Sequence, residues 1–134
     1  MRNQKKSFVV IGSIATLLGY FCCVPLAWSH GAEDSHQNSL ERTVVPDDSY
    51  ELCLVLEQDQ QLHYKFKASR KLDFNIHYHT EDKVLYPVSE DQIMDLTATF
   101  AAPSGQEYCL MWTNQGNTDV WLSLQYEKPQ AKGH

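Results

Sequence analysis

Two histidines, His77 and His79, stand one residue apart in the run Leu72-Asp73-Phe74-Asn75-Ile76-His77-Tyr78-His79. Imidazole is the commonest metal ligand among side chains, and its nitrogen suits Zn²⁺ and Cu²⁺. Leu72, Phe74, Ile76 and Tyr78 alternate with Asp73, Asn75, His77 and His79, which is the period of a half-buried strand. Residues two apart on a strand point the same way, about 7 Å apart, so both imidazoles share one face, expected to be turned to solvent. A third histidine joins them if Leu62 to Ala68 forms a hairpin with this strand. Pairing Lys67 with Asp73, Phe66 with Phe74 and Tyr64 with Ile76 brings His63 opposite His77. His63, His77 and His79 then make a nitrogen-rich site for Cu or Zn; the bland alternative is a solvated polar face.

A second histidine feature depends on processing. Arg2, Lys5 and Lys6, the apolar run Phe8 to Ala27 and the small-residue ends of Ala27-Trp28-Ser29 have the form of a secretory signal peptide over residues 1–29. Cleavage after Ser29 makes His30 the first residue, and a free amino group beside an imidazole is a bidentate pair for Cu²⁺, with His36 further along the same segment. Retention of the run as a membrane anchor is one alternative. A lipid anchor on Cys22 or Cys23 is another, although bulky residues stand where such a signal needs a small one.

The full chain carries 11 basic and 17 acidic side chains. Loss of residues 1–29 leaves 8 and 17, a net charge of about −9 with neutral histidines. Such a domain has no electrostatic footprint for nucleic acid or anionic lipid, and favours cations or basic surfaces. Membrane contact is expected only through the signal segment, if it is retained. The remaining residues suffice for one modest core. Cys53 and Cys109 are the cysteines that survive, and an even count in an exported chain reads as one structural disulfide, in the periplasm or outside the cell.

Residues 30–47 are polar without a periodic apolar face and read as a flexible lead-in. From there to residue 127 the alternation is that of strands: Tyr50 to Leu56, Leu62 to Ala68, the histidine strand, Lys83 to Tyr86, Gln92 to Phe100, Glu107 to Thr113 and Val120 to Tyr126. Pro87 ends the fourth of these or demotes it to an edge. Asn114-Gln115-Gly116-Asn117 is a strong turn signal. Seven or eight short strands with turn residues between them predict an all-β antiparallel sandwich over residues 48–127, followed by a frayed tail at 128–134.

The residues around both cysteines carry a family resemblance. Tyr50-Glu51-Leu52-Cys53 opens the first strand, and Gly105-Gln106-Glu107-Tyr108-Cys109-Leu110-Met111-Trp112-Thr113-Asn114 and Val120-Trp121-Leu122-Ser123-Leu124 close the domain. This resembles the GOLD domain, the luminal β-sandwich of Golgi-dynamics cargo receptors, over Tyr50 to Tyr126. The resemblance implies a stand-alone exported sandwich, a Cys53 to Cys109 bond and a non-enzymatic binding or assembly role. The coiled coil and C-terminal membrane span of the cargo receptors have no counterpart in this sequence.

No G-x-S-x-G elbow, phosphate loop or H-E-x-x-H is present, and the disulfide consumes the thiols, so no catalytic residue is assigned and no cofactor is required. Trp112 is expected in the core. Trp121 and the exposed face of the last strand are the expected contacts for a partner, another exported or envelope protein, and sheet edges offer further pairing sites. The expected function is therefore an exported, non-catalytic protein-binding module, with periplasmic copper or zinc binding as the rival.

Overall fold

The computed structural model describes residues 36–128; residues 1–35, with the expected signal segment and His30, and the tail beyond residue 128 lie outside it. Among the described residues there are six strands and no helix: β1 (Gln37–Val44), β2 (Asp48–Leu56), β3 (Gln61–His79), β4 (Val84–Ala101), β5 (Gln106–Asn114) and β6 (Val120–Glu127). No helix there is long and apolar enough to cross a membrane. All pairings are antiparallel, in the order β1-β6-β3-β5-β2, with β4 on the other side of β3. The predicted all-β antiparallel architecture is present, with fewer and longer strands than the alternation suggested.

The 19-residue β3 is the spine. Its first half pairs with β6, from His63 opposite Glu127 to Ala68 opposite Leu122, and its second half pairs with β5, from Asp73 opposite Thr113 to His77 opposite Cys109. β5 and β6 thus lie end to end along one side of β3. β1 and β2 repeat the arrangement one position further out, β1 against β6 and β2 against β5. The sheet therefore amounts to four long strands folded together along a line of corners. One layer holds β1, β6, the first half of β3 and the last part of β4; the other holds β2, β5, the second half of β3 and the first part of β4.

A straight strand would separate Phe66 from Phe74 by about 26 Å, yet their ring centroids are 5.0 Å apart. The fold at Ser69-Arg70-Lys71 turns the two inner faces of β3 toward each other. Trp112, fully buried, packs between them, 5.6 Å from Phe66 and 5.2 Å from Phe74. Around this cluster lie Leu62, Leu72, Ile76, Tyr108, Leu110, Val120, Leu122 and Leu124. Each such side chain contributes roughly 1.5–3 kcal/mol by leaving water. Against that gain, Trp112 Nε1 is a buried donor without a partner, which costs about 1–3 kcal/mol.

Polar side chains hold the corners. Asn114, fully buried, donates from Nδ2 to the carbonyl oxygens of Val44 and Thr118, each at 2.9 Å, and accepts from the Gly116 amide at 2.9 Å. A Cβ on Gly116 would sit 3.1 Å from Asn114 Oδ1, so glycine suits that turn. Asp47, at φ 58°, donates its amide to the Asn114 carbonyl. On β4, Gln92 takes φ 53°, and both its amide and Nε2 donate to Asp73 Oδ1, at 2.9 and 2.7 Å. These bonds offset the cost of a left-handed conformation at a residue that rarely adopts it. Ser69 Oγ accepts from the Trp121 amide at 2.9 Å.

Two expectations are corrected, and the alternatives at Pro87 are decided. The polar lead-in contains β1: Leu40 and Val44 face the core, Arg42 lies 5.4 Å over the Tyr50 ring, and the backbone pairing with β6 supplies what the sparse apolar pattern concealed. Leu62 to Ala68 and Leu72 to His79 are one bent strand and not a hairpin, because their backbones pair onward with β4 on the same side instead of with each other. β4 likewise runs through Pro87, which sits at a register shift on a strand with a single neighbour, so its missing N–H breaks no ladder. The demotion to an edge strand is what the structure shows.

Candidate functional site

The bend in β3 decides which histidines meet. His63 lies on the outer face of the first layer, paired with Thr99 and Glu127, and its Nδ1 is 2.7 Å from Thr99 Oγ1. It lines an open groove of about 360 Å³ with Lys65, Thr97, Gln125 and Glu127. His77 and His79 lie on the outer face of the opposite layer. The predicted three-histidine face is therefore not formed, and the reason is the absent hairpin. His36 is exposed at the start of the described chain, where its carbonyl accepts from Asn38 Nδ2.

The other pair does assemble. His77 and His79 have ring centroids 5.3 Å apart in an edge-on arrangement, and Tyr86 packs with its ring centroid 5.6 Å from that of His77. His79 is exposed, but His77 is only 5% exposed despite its outward direction. Its covering comes from these rings and from Glu51, which reaches across β5: Glu51 Oε1 lies 3.0 Å from His77 Nε2. Nδ1 is 2.9 Å from Asn75 Oδ1. Both ring nitrogens are thus engaged, one by the neighbour two residues back, the other by a carboxylate 26 positions earlier. Spacing in the sequence does not single out Glu51, since nothing local marks it.

Beside this pair, Cys53 and Cys109 face each other on β2 and β5 and form the predicted disulfide. Among the described residues, the one trio of potential ligands with atoms within 4.8 Å of one another is Glu51, Cys53 and Cys109. Its sulfurs are bonded to each other, so it offers a metal only a carboxylate.

A second feature lies at the end of the sandwich away from the corners. Between β4 and β5 the chain turns through Pro103-Ser104-Gly105, all exposed. Beneath it the Tyr108 ring is fully buried, against Phe100 at 5.0 Å and Tyr78 at 5.4 Å. The Tyr108 hydroxyl donates to the Ser104 carbonyl at 3.0 Å and accepts from the Ser104 amide at 3.3 Å and from Gln106 Nε2 at 3.1 Å. The turn between β2 and β3 is tied on beside it: the Asp59 amide donates to the Ala102 carbonyl at 2.8 Å, and the Ala102 amide to the Gln60 carbonyl at 3.0 Å. An exposed tip thus stands on a rigid base.

Trp121 is 45% exposed on the outer face of β6, next to the corner. It lies about 20 Å along that strand from the end where the tip projects.

No family model and no curated protein matches the chain. Among solved structures, PliG of Aeromonas hydrophila, described as a periplasmic lysozyme inhibitor of g-type lysozyme, is 18% identical, with a TM-score of 0.52 over 72% of this chain and 90% of its own. A de novo designed double-stranded β-helix is 13% identical, with a TM-score of 0.41 over 67% of this chain and 99% of its own. Neither is described as a GOLD domain. At these identities the likeness to PliG is one of fold.

Proposed function

We propose that this protein is an exported, non-catalytic protein-binding module, and that its partner is a lysozyme-type enzyme met by the Pro103-Ser104-Gly105 tip. The observation that carries the reading is the buried Tyr108 hydroxyl, whose bonds are directed at the backbone of an exposed turn. Loops on a rigid scaffold are where binding residues concentrate, and a tip fixed before the encounter loses less entropy on association. The fold shared with PliG, a protein described as a lysozyme inhibitor, supports this partner class. A net acidic chain suits a basic enzyme surface. The Cys53–Cys109 bond suits an oxidising compartment.

The GOLD resemblance implies the same general role, a binding module without chemistry of its own. Trp121 is a second proposed contact. A standard interface covers about 800 Å² on each partner, enough to reach from the tip toward the corner. The test is cell-wall lysis by g-type and other lysozymes in the presence of increasing protein. Inhibition that saturates near one equivalent is expected for at least one type, and undiminished lysis across the panel refutes the reading.

A further inference from the structure

We propose that Glu51, His77 and His79 form a binding site for a divalent transition-metal ion on the outer face of the β2-β5-β3 layer. This site is separate from the turn and independent of the protein-binding reading. It replaces the grouping that the sequence suggested, with Glu51 in the place of His63.

The geometry begins with Asn75. Its Oδ1 lies 2.9 Å from His77 Nδ1, so a proton on Nδ1 is held there and Nε2 is directed at Glu51. An orienting hydrogen bond on the far ring nitrogen is the usual companion of a metal-ligating histidine, because it fixes both tautomer and ring plane. Glu51 Oε1 and His77 Nε2 are 3.0 Å apart. In the tautomer protonated on Nδ1, the Nε2 lone pair and the carboxylate oxygen face one another across this gap, the arrangement that two ligands of one metal ion adopt. Ligands at 2.0–2.2 Å in adjacent positions of a tetragonal ion are separated by about 2.9 Å, and around a tetrahedral ion by about 3.4 Å. The observed spacing matches the first and requires a small opening for the second.

The third ligand comes from the rim. His79 is exposed and its ring already lies edge-on to His77. A rotamer change brings an imidazole nitrogen toward the Glu51 side without disturbing the core, because a strand places both side chains on one face. His77 is a prearranged ligand, 5% exposed and braced by Tyr86. Glu51, whose side chain is 44% exposed, keeps the entrance open. One carboxylate and two imidazoles suit Cu²⁺ and Zn²⁺, with Cu²⁺ the tighter, and not Ca²⁺ or Mg²⁺, which favour all-oxygen sets.

The experiment is isothermal titration of the full chain at pH 7.5 with Zn²⁺ and, separately, Cu²⁺. Wild type is compared with Glu51→Gln, His79→Ala and His63→Ala. Glu51 and His79 are both at the surface, and circular dichroism verifies that each variant keeps the fold. Zinc is the deciding ion, since a chain cleaved after Ser29 would offer copper a second place at the free amino group of His30. The expected result is a single zinc site weakened at least tenfold in Glu51→Gln and in His79→Ala and unchanged in His63→Ala. Absence of zinc binding in wild type overturns the proposal. Zinc affinity that survives both Glu51→Gln and His79→Ala overturns it equally.

Discussion

Glu51 Oε1 meets His77 Nε2 at 3.0 Å although β5 separates their strands. The contact is diagonal: Glu51 stands in register with Met111 and through it with Asn75, whereas His77 lies two residues further along, in register with Cys109 and through it with Cys53. Because the carboxylate is half exposed, the pair contributes little to metal-free stability, about 0–1 kcal/mol. Glu51→Gln is therefore expected to shift the urea midpoint only slightly. A loss of several kcal/mol would instead identify the pair as a structural support of the sheet.

Asn114 is the residue on which the corner depends most. Replacing it with Ala leaves the Val44 and Thr118 carbonyls and the Gly116 amide without the partner each now has. Leaving a buried polar group unsatisfied costs about 1–3 kcal/mol, and with three affected groups the expected loss for Asn114→Ala is about 2–4 kcal/mol. Chemical denaturation measures it. A loss under 1 kcal/mol would mean that the corner is held by packing alone.

The disulfide joins residues 56 positions apart. On the chain-entropy account, closing a loop of that size in the unfolded state is worth about 4 kcal/mol. Cys53→Ser with Cys109→Ser is expected to lower unfolding free energy by about that amount, read against wild type in the absence of reductant. An equal stability for the two proteins would show that the bond adds nothing to the fold.

Tyr64 gives the stability a signature at high pH. Burial first, and the nearby Glu90 carboxylate second, push its phenol up to about 12 from an ordinary 10. The folded value lies above the unfolded one, so this contribution is fully present below pH 10 and is lost as pH rises from 10 toward 12. A shift of that size corresponds to about 2–3 kcal/mol. Melting temperature is expected to fall less steeply over that window in Tyr64→Phe than in wild type. Parallel curves would contradict the assignment.

Much of the core was legible because side-chain alternation reports burial directly. Leu62, Tyr64, Phe66, Leu72, Phe74 and Ile76 are buried as their spacing requires, as are Tyr108, Leu110, Trp112, Val120, Leu122 and Leu124. The cysteine count led to the bond that forms. Alternation does not report where a backbone finds its partner. Ser69-Arg70-Lys71 interrupts the apolar period as a hairpin turn would, but the chain bends there and continues, so His63 and His77 end on opposite outer faces. The same limit hid β1, whose place depends on the ladder with β6 and on Arg42 over Tyr50. It also hid Glu51, which reaches His77 only because β2 and β3 flank β5. The turn over Tyr108 reads in sequence as a simple break, since only the folded core directs the phenol beneath it.

The tip above Tyr108 is the proposed binding surface, and the most direct measurement of it is affinity for immobilised g-type lysozyme by biolayer interferometry. The proteins compared are wild type, Tyr108→Phe, which keeps the ring and deletes the hydroxyl beneath the turn, and Trp121→Ala as a probe of the corner. The prediction is saturable binding by wild type and a loss of about tenfold or more in Tyr108→Phe with the fold intact. Absence of binding by wild type, or identical affinity in Tyr108→Phe, would contradict it.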